Sequence, residues 1–183
     1  MKVLEIRGEA ELIIRSFSSE ETLEVGKALG ALLRPGDVVC LVGEVGAGKT
    51  VFVQGITMGV GLDPGEGARS PTFALVHEYQ AQHLIYHVDL YRLDDPRELR
   101  ELGWEEYLYG QGISIVEWAE KAGELLPQER LIVQFKLLGT RERELFFLAS
   151  GFHYQKLLLE LANSLHGSPF TNRNAGGGDG KIV

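Results

Sequence analysis

Val38-Val39-Cys40-Leu41-Val42-Gly43-Glu44-Val45-Gly46-Ala47-Gly48-Lys49-Thr50 is the stretch that decides the fold. Its first five residues are apolar without a break, the pattern of a strand buried on both faces of a parallel sheet. Then come Gly43, four residues, and Gly48-Lys49-Thr50, and a helix pattern runs from Thr50 to Val60. Glycines let the backbone curl so that successive N–H groups point at one anion, which a Cβ would obstruct. The helix starting here adds its positive end. Together these make a Walker A phosphate loop, in which Lys49 meets the β- and γ-phosphates of a nucleoside triphosphate and the Thr50 hydroxyl joins a magnesium shell. Strand, loop and helix stand in the order this chemistry needs. The expected fold class is α/β: a P-loop NTPase fold with a mixed, mostly parallel central sheet, flanking helices and antiparallel strands at the edge.

On the N-terminal side, Ala10 to Arg15 reads as a short strand. Ser18-Ser19-Glu20-Glu21 opens a helix, with a hydroxyl to cap it and acids near its positive end. Arg34-Pro35-Gly36-Asp37 closes that helix with turn chemistry. On the C-terminal side, Gly61 to Arg69 holds Pro64 and three glycines and reads as a mobile loop. Thr72 to Tyr79 and His83 to Leu90 look like a hairpin, Pro96 to Leu102 a helix, and Ile113 to Val116 a second buried strand. Arg130 to Leu138 and Glu144 to Ala149 alternate as a late antiparallel pair, and His153 to Leu165 is a leucine-rich helix. From Gly167 to Val183 the composition is that of a disordered tail, so one domain is expected over residues 1–166.

Composition bounds the function. The chain has 183 residues, 44% hydrophobic and 24% charged, with a net charge of -8. That is a globular composition, and the acidic balance opposes direct binding to nucleic acid or anionic membranes. Arg92, Arg97 and Arg100 lie close together in sequence and could still form a local basic patch. The lone Cys40 sits within an apolar run and reads as a core residue. Neither a signal-peptide core nor a membrane-length apolar stretch is present, so a cytoplasmic protein is expected.

Magnesium on a P-loop also needs a carboxylate near a strand end. Asp89 ends Leu84-Ile85-Tyr86-His87-Val88-Asp89, and Glu117 ends Ile113-Ser114-Ile115-Val116-Glu117. Ser70-Pro71-Thr72 follows the glycine-rich loop, where either hydroxyl could reach the γ-phosphate or the metal when the loop closes. Trp104 and Trp118 read as packing residues, and His87 as a strand histidine rather than a metal ligand. Three uses of the site compete: an ATPase that drives a partner, a phosphotransferase acting on a small molecule, and a nucleotide-dependent binding module. The guanine-reading Asn/Thr-Lys-x-Asp segment of a GTPase is missing.

The order of Gly43 to Thr50, Ser70-Pro71-Thr72, His87-Val88-Asp89-Leu90-Tyr91-Arg92-Leu93, Asp95-Pro96-Arg97-Glu98-Leu99, Val116-Glu117-Trp118 and Leu125-Leu126-Pro127 resembles the TsaE (YjeE) family. These are small bacterial P-loop ATPases of tRNA threonylcarbamoyladenosine formation. The resemblance extends loosely from about Ser18 to Gly151. It implies ATP and Mg2+ as cofactors, TsaD and TsaB as protein partners, and tRNA as an indirect one, with ATP hydrolysis supporting that complex. It also implies site roles: Thr50 and Glu117 on the metal, and Asp89 beside the phosphates positioning water, with Lys49 and Thr72 as the other catalytic candidates. Nucleotide contacts would come from Glu44, Val45, Gly46, Ala47, Gly48, Lys49, Thr50, Val51 and Asp89. Ser19, Thr140 and Arg141 would lie toward the nucleoside.

Two positions depart from the family pattern, which commonly has Asp-Leu at Glu44-Val45 and a second Thr at Val51. The latter change removes a hydroxyl from the α-phosphate. One such hydrogen bond is worth about 1 kcal/mol net, so a several-fold weaker nucleotide affinity is expected.

Overall fold

The computed structural model describes residues 1–7, 10–72, 74–101 and 103–166; the tail read at 167–183 lies outside them. Val38–Val42 forms a strand as expected. Its residues alternate, Val39 and Leu41 joining one apolar cluster and Val38 and Cys40 the other. A strand so covered on both faces has no room for polar side chains, which is why the run is continuous.

In chain order the strands are β1 (Lys2–Arg7), β2 (Glu11–Ser16), β3 (Val38–Val42), β4 (Val76–Gln80), β5 (Leu84–Asp89), β6 (Ile113–Glu117), β7 (Arg130–Leu137) and β8 (Arg143–Ser150). The helices are α1 (Ser19–Gly30), α2 (Lys49–Gly59), α3 (Glu98–Glu101), α4 (Trp104–Tyr109) and α5 (Phe152–His166), with a 3-10 segment at Ala119–Leu125. One sheet holds all eight strands in the order β1-β2-β8-β7-β3-β6-β5-β4. Its centre, β7-β3-β6-β5, is parallel. Antiparallel strands extend it at both edges. The C-terminal ends of β3, β5 and β6 therefore open on one side of the sheet, where α/β folds bind ligands.

Helix α1 starts as its sequence predicts. Ser18 caps it, its hydroxyl accepting from the Glu21 N–H at 3.2 Å, and the Glu21 carboxylate accepts from the Phe17 N–H at 2.8 Å. The packing of α1 on α2 rests on a feature the reading of motifs passed over, Gly26 and Gly30 on one helix facing Gly55 and Gly59 on the other. A Cβ on Gly55 would stand 2.1 Å from the Leu23 carbonyl oxygen, and one on Gly30 would stand 2.2 Å from that of Ile56. Backbone touches backbone here, and this sets how α2, and with it the phosphate loop, lies on the sheet.

Two expectations are corrected. The strand expected from Thr72 begins only at Val76. Ahead of it the N–H groups of Ala74 and Leu75 both donate to the Pro71 carbonyl, a turn that leaves Leu75 at φ 63°. The helix expected over Pro96 to Leu102 is the single turn α3. The loop before Arg69 has no regular structure, but its end is fastened: Gln54 Nε2 donates to the Ala68 carbonyl, and the Tyr79 hydroxyl engages both the N–H and the carbonyl of Arg69. Strand β1, helix α4 and the 3-10 segment were not expected from the sequence. Cys40 is a core residue, its thiol pushed up to about 12 by burial. Among the described residues no helix is long and apolar enough to cross a membrane.

In an exposed helix Gly→Ala is stabilising by up to about 1 kcal/mol. At Gly55 the sign reverses, because overpacking against backbone costs about 1–3 kcal/mol. Gly55→Ala should lower the melting temperature by several degrees, and a melting temperature at or above that of the parent chain would contradict the packing argument.

Candidate functional site

Above the strand ends lies a cleft of about 410 Å³, lined by residues 45–51 with Ser70, Thr72, Asp89, Tyr91, Glu117 and Trp118. The loop over residues 43–48 crosses from β3 into α2 through left-handed glycines. Gly48, at φ 104°, is the residue before the helix, a conformation that penalises any Cβ. Helix α2 has no side-chain cap, so its first N–H groups face the cleft without a protein acceptor from the cap residue. Lys49 Nζ folds back onto the carbonyls of Gly43 (2.6 Å) and Glu44 (3.0 Å), with the Trp118 ring 3.8 Å away. Burial lowers the Lys49 pKa, and Glu117, Glu120, Asp89 and Glu44 pull it back. An arriving phosphate would do the same more strongly.

Strands β5 and β6 pair in parallel with Asp89 opposite Glu117, and both residues are only 2% exposed. Like charges buried side by side each need donors. The donors are divided between them. Asp89 accepts from the Ser70 hydroxyl, from Thr72 Oγ1 at 2.8 Å and from the Tyr91 N–H at 2.9 Å. Glu117 accepts from Thr50 Oγ1, 3.2 Å from both carboxylate oxygens, and lies 2.9 Å from His87 Nε2. The turn that ended the expected strand early is what turns Ser70 and Thr72 onto Asp89.

Among the described residues no group of three or more His, Cys, Asp or Glu gathers as a metal cage. The donor set that is present, one threonine hydroxyl touching one carboxylate beside a phosphate loop, is the kind that holds magnesium jointly with phosphate oxygens and water. Thr50 and Glu117 could provide it.

Ser19, Thr140 and Arg141 are exposed and none of them lines the cleft. Ser19 opens α1, and Thr140-Arg141 lie in the turn between β7 and β8. The two segments are nonetheless neighbours. The Glu20 carboxyl is held below its usual range first by a backbone hydrogen bond, then by Ser18, and also by the charges of Arg141 and Arg143. The residue that reaches the phosphate loop from here is Arg143, which the motif reading missed. Its side chain is 5% exposed and packs on Gly48, with Cδ 3.4 Å from where a Cβ would stand. One guanidinium nitrogen donates to Thr22 Oγ1 at 2.8 Å and to the Ser18 carbonyl at 3.3 Å, while Nε is buried without a partner. A signal did exist: Arg143 stands in phase with the inward-facing Leu145 and Phe147.

A family model, threonylcarbamoyl adenosine biosynthesis protein TsaE, matches residues 16–145. The tRNA threonylcarbamoyladenosine biosynthesis protein TsaE of Bacillus subtilis is 44% identical over 149 residues, 81% of this chain and 92% of that protein. Its counterpart in Treponema pallidum is 36% identical over 130 residues, 71% of this chain and 95% of that protein. The crystal structure of YdiB from Bacillus subtilis superposes with a TM-score of 0.72 at 39% identity, covering 84% of this chain and 95% of the other. A phosphate loop, a serine and threonine gathered on Asp89, and a glutamate on the loop threonine thus stand within the matched span. The chain belongs to the TsaE family.

Proposed function

We propose that this chain binds and hydrolyses Mg-ATP, and that hydrolysis supports a TsaB–TsaD complex in tRNA threonylcarbamoyladenosine modification. The observation that carries the reading is the contact between Thr50 and Glu117 at the mouth of the phosphate loop, opposite an Asp89 held by Ser70 and Thr72. In this reading Lys49 leaves the carbonyls of Gly43 and Glu44 and meets the β- and γ-phosphate oxygens. The uncapped start of α2 supplies N–H donors to the same phosphates. Thr50 and Glu117 would hold magnesium, which would supply neutralising charge to the triphosphate. Asp89, fixed on two sides by hydroxyls and a backbone N–H, has one lone pair left, on Oδ1, to orient a water molecule for in-line attack. A partner would contribute either by ordering the loop that carries Ser70 and Thr72 or by bringing cationic charge to the γ-phosphate.

The experiment that tests the reading is single-turnover ATP hydrolysis by the protein alone, then with TsaB and TsaD, with tRNA added last. Slow turnover alone and acceleration by the partners is expected, and an arginine supplied in trans can be worth about 10³–10⁵ in rate. Fast turnover indifferent to the partners would sink the role in that complex, and turnover only with a small phosphoryl acceptor would make the protein a phosphotransferase.

The two carboxylates should separate in their variants. Glu117→Gln is expected to raise the magnesium requirement while leaving metal-free nucleotide affinity near that of the parent, since an amide is a poorer ligand for a hard cation. Asp89→Asn should act mainly on the chemical step. If Asp89→Asn shifts the magnesium requirement instead, the two roles are exchanged.

Arg143→Met makes a different split. The variant keeps most of the apolar chain but loses the hydrogen bonds to Thr22 and to the Ser18 carbonyl, so a moderate loss of stability, about 1–3 kcal/mol, is expected. Losing the positive charge packed beside Gly48 should also weaken ATP, about tenfold. Calorimetric titration and thermal melting of the same sample check both halves. ATP affinity unchanged in the variant would leave Arg143 as packing only.

A further inference from the structure

His87 is completely buried, on β5 two residues before Asp89 and on the same face of the strand. Its Nε2 faces Glu117 Oε1 at 2.9 Å, and its Nδ1 has no hydrogen-bond partner among the described residues. The ring's one polar engagement is therefore Glu117, and an acceptor carboxylate opposite Nε2 selects the tautomer in which Nε2–H donates. On its other side the ring is walled by Tyr79, stacked at 6.4 Å, whose hydroxyl is occupied by Arg69 and His77.

Glu117 has two donors among the described residues, Thr50 and His87. If Thr50 turns its oxygen to a metal ion, its grip on Glu117 loosens. His87 then remains as the donor that holds the carboxylate. It also supplies a dipole that Asp89, the opposing carboxylate, does not share, since Asp89 has its own hydroxyls. A buried histidine whose only task is packing would not need to spend its single hydrogen bond on the one carboxylate facing the phosphate-loop threonine.

We infer that His87 is a positioning residue: it aims the Glu117 carboxylate at the divalent cation of the nucleotide complex and thereby sets the affinity for that cation. The inference rests on the Mg-nucleotide reading of the site. Partners of this kind behind a metal ligand are typically worth about 10–100-fold in metal affinity.

The test uses Mn2+ as the probe, titrated by electron paramagnetic resonance into the full-length protein saturated with ADP. The ADP affinity in chelator and the metal-free melting temperature are measured beside it. His87→Leu should weaken Mn2+ about tenfold or more while ADP affinity in chelator stays within about twofold. His87→Gln, whose Nε2 can donate from a similar position, should recover most of the loss. Wild-type Mn2+ affinity in His87→Leu would overturn the inference, and so would a folded His87→Gln as weak as His87→Leu, because the donor would then not be what matters. Absence of any Mn2+ binding by the wild-type ADP complex would overturn the Mg-nucleotide reading itself and this inference with it.

Discussion

Two carboxylates facing each other across adjacent parallel strands, almost sealed from water, are the constraint around which the site is built. Burying one charge is costly and burying two of the same sign more so, unless each has its own donors. The chain meets this by assigning each carboxylate a separate set. Asp89 takes the two hydroxyls of Ser70 and Thr72 and a backbone N–H. Glu117 takes Thr50 and His87. Lys49, close to both, contributes positive charge that neither carboxylate binds directly. A dicationic metal and a polyanion entering together would complete this arrangement, each offsetting the charge the other brings.

Holding these groups in register depends on structure away from the cleft. The Asp89–Glu117 pairing follows from the parallel ladder of β5 and β6. The position of Thr50 follows from α2, which is seated on α1 through glycines whose missing Cβ atoms allow backbone contact. Arg143 connects the second support to the first: it lies on Gly48 and bonds the start of α1. The phosphate loop is thus bounded by the sheet below, α1 through the glycine contacts, and β8 through one buried guanidinium. Packing this tight transmits small shifts, so the loop's geometry is as much a property of the α1–α2 contact as of its own glycines.

Lys49 in this structure is satisfied by the chain itself, through two carbonyls and the indole of Trp118. Trp118 sits at φ 59°, in the left-handed region that is unfavourable for a bulky side chain, and its ring lies against Tyr91 at the rim of the cleft. A backbone cost at the residue after a metal-binding candidate places an aromatic face where the ammonium can rest. The reading of Trp118 as simple packing therefore understates it; Trp104, bonded to the Leu125 carbonyl and buried in the second cluster, fits that description.

Local chemistry was legible in the sequence wherever it is carried by neighbouring residues. The phosphate loop needs only Gly43, Gly48, Lys49 and Thr50 at fixed spacing between a strand and a helix. The Ser18 cap needs only Glu21, and the buried strand at Val38 to Val42 needs only an unbroken apolar run. Strand ends named Asp89 and Glu117 because a parallel sheet sends such ends to one side. What the tertiary structure alone decided is which side chains meet across long separations. That His87 meets Glu117, that Arg143 rather than exposed Arg141 reaches Gly48, and that four glycines on two helices touch all depend on strand order, register and helix seating. Those are settled by packing the whole core at once, and no stretch of neighbouring residues encodes them.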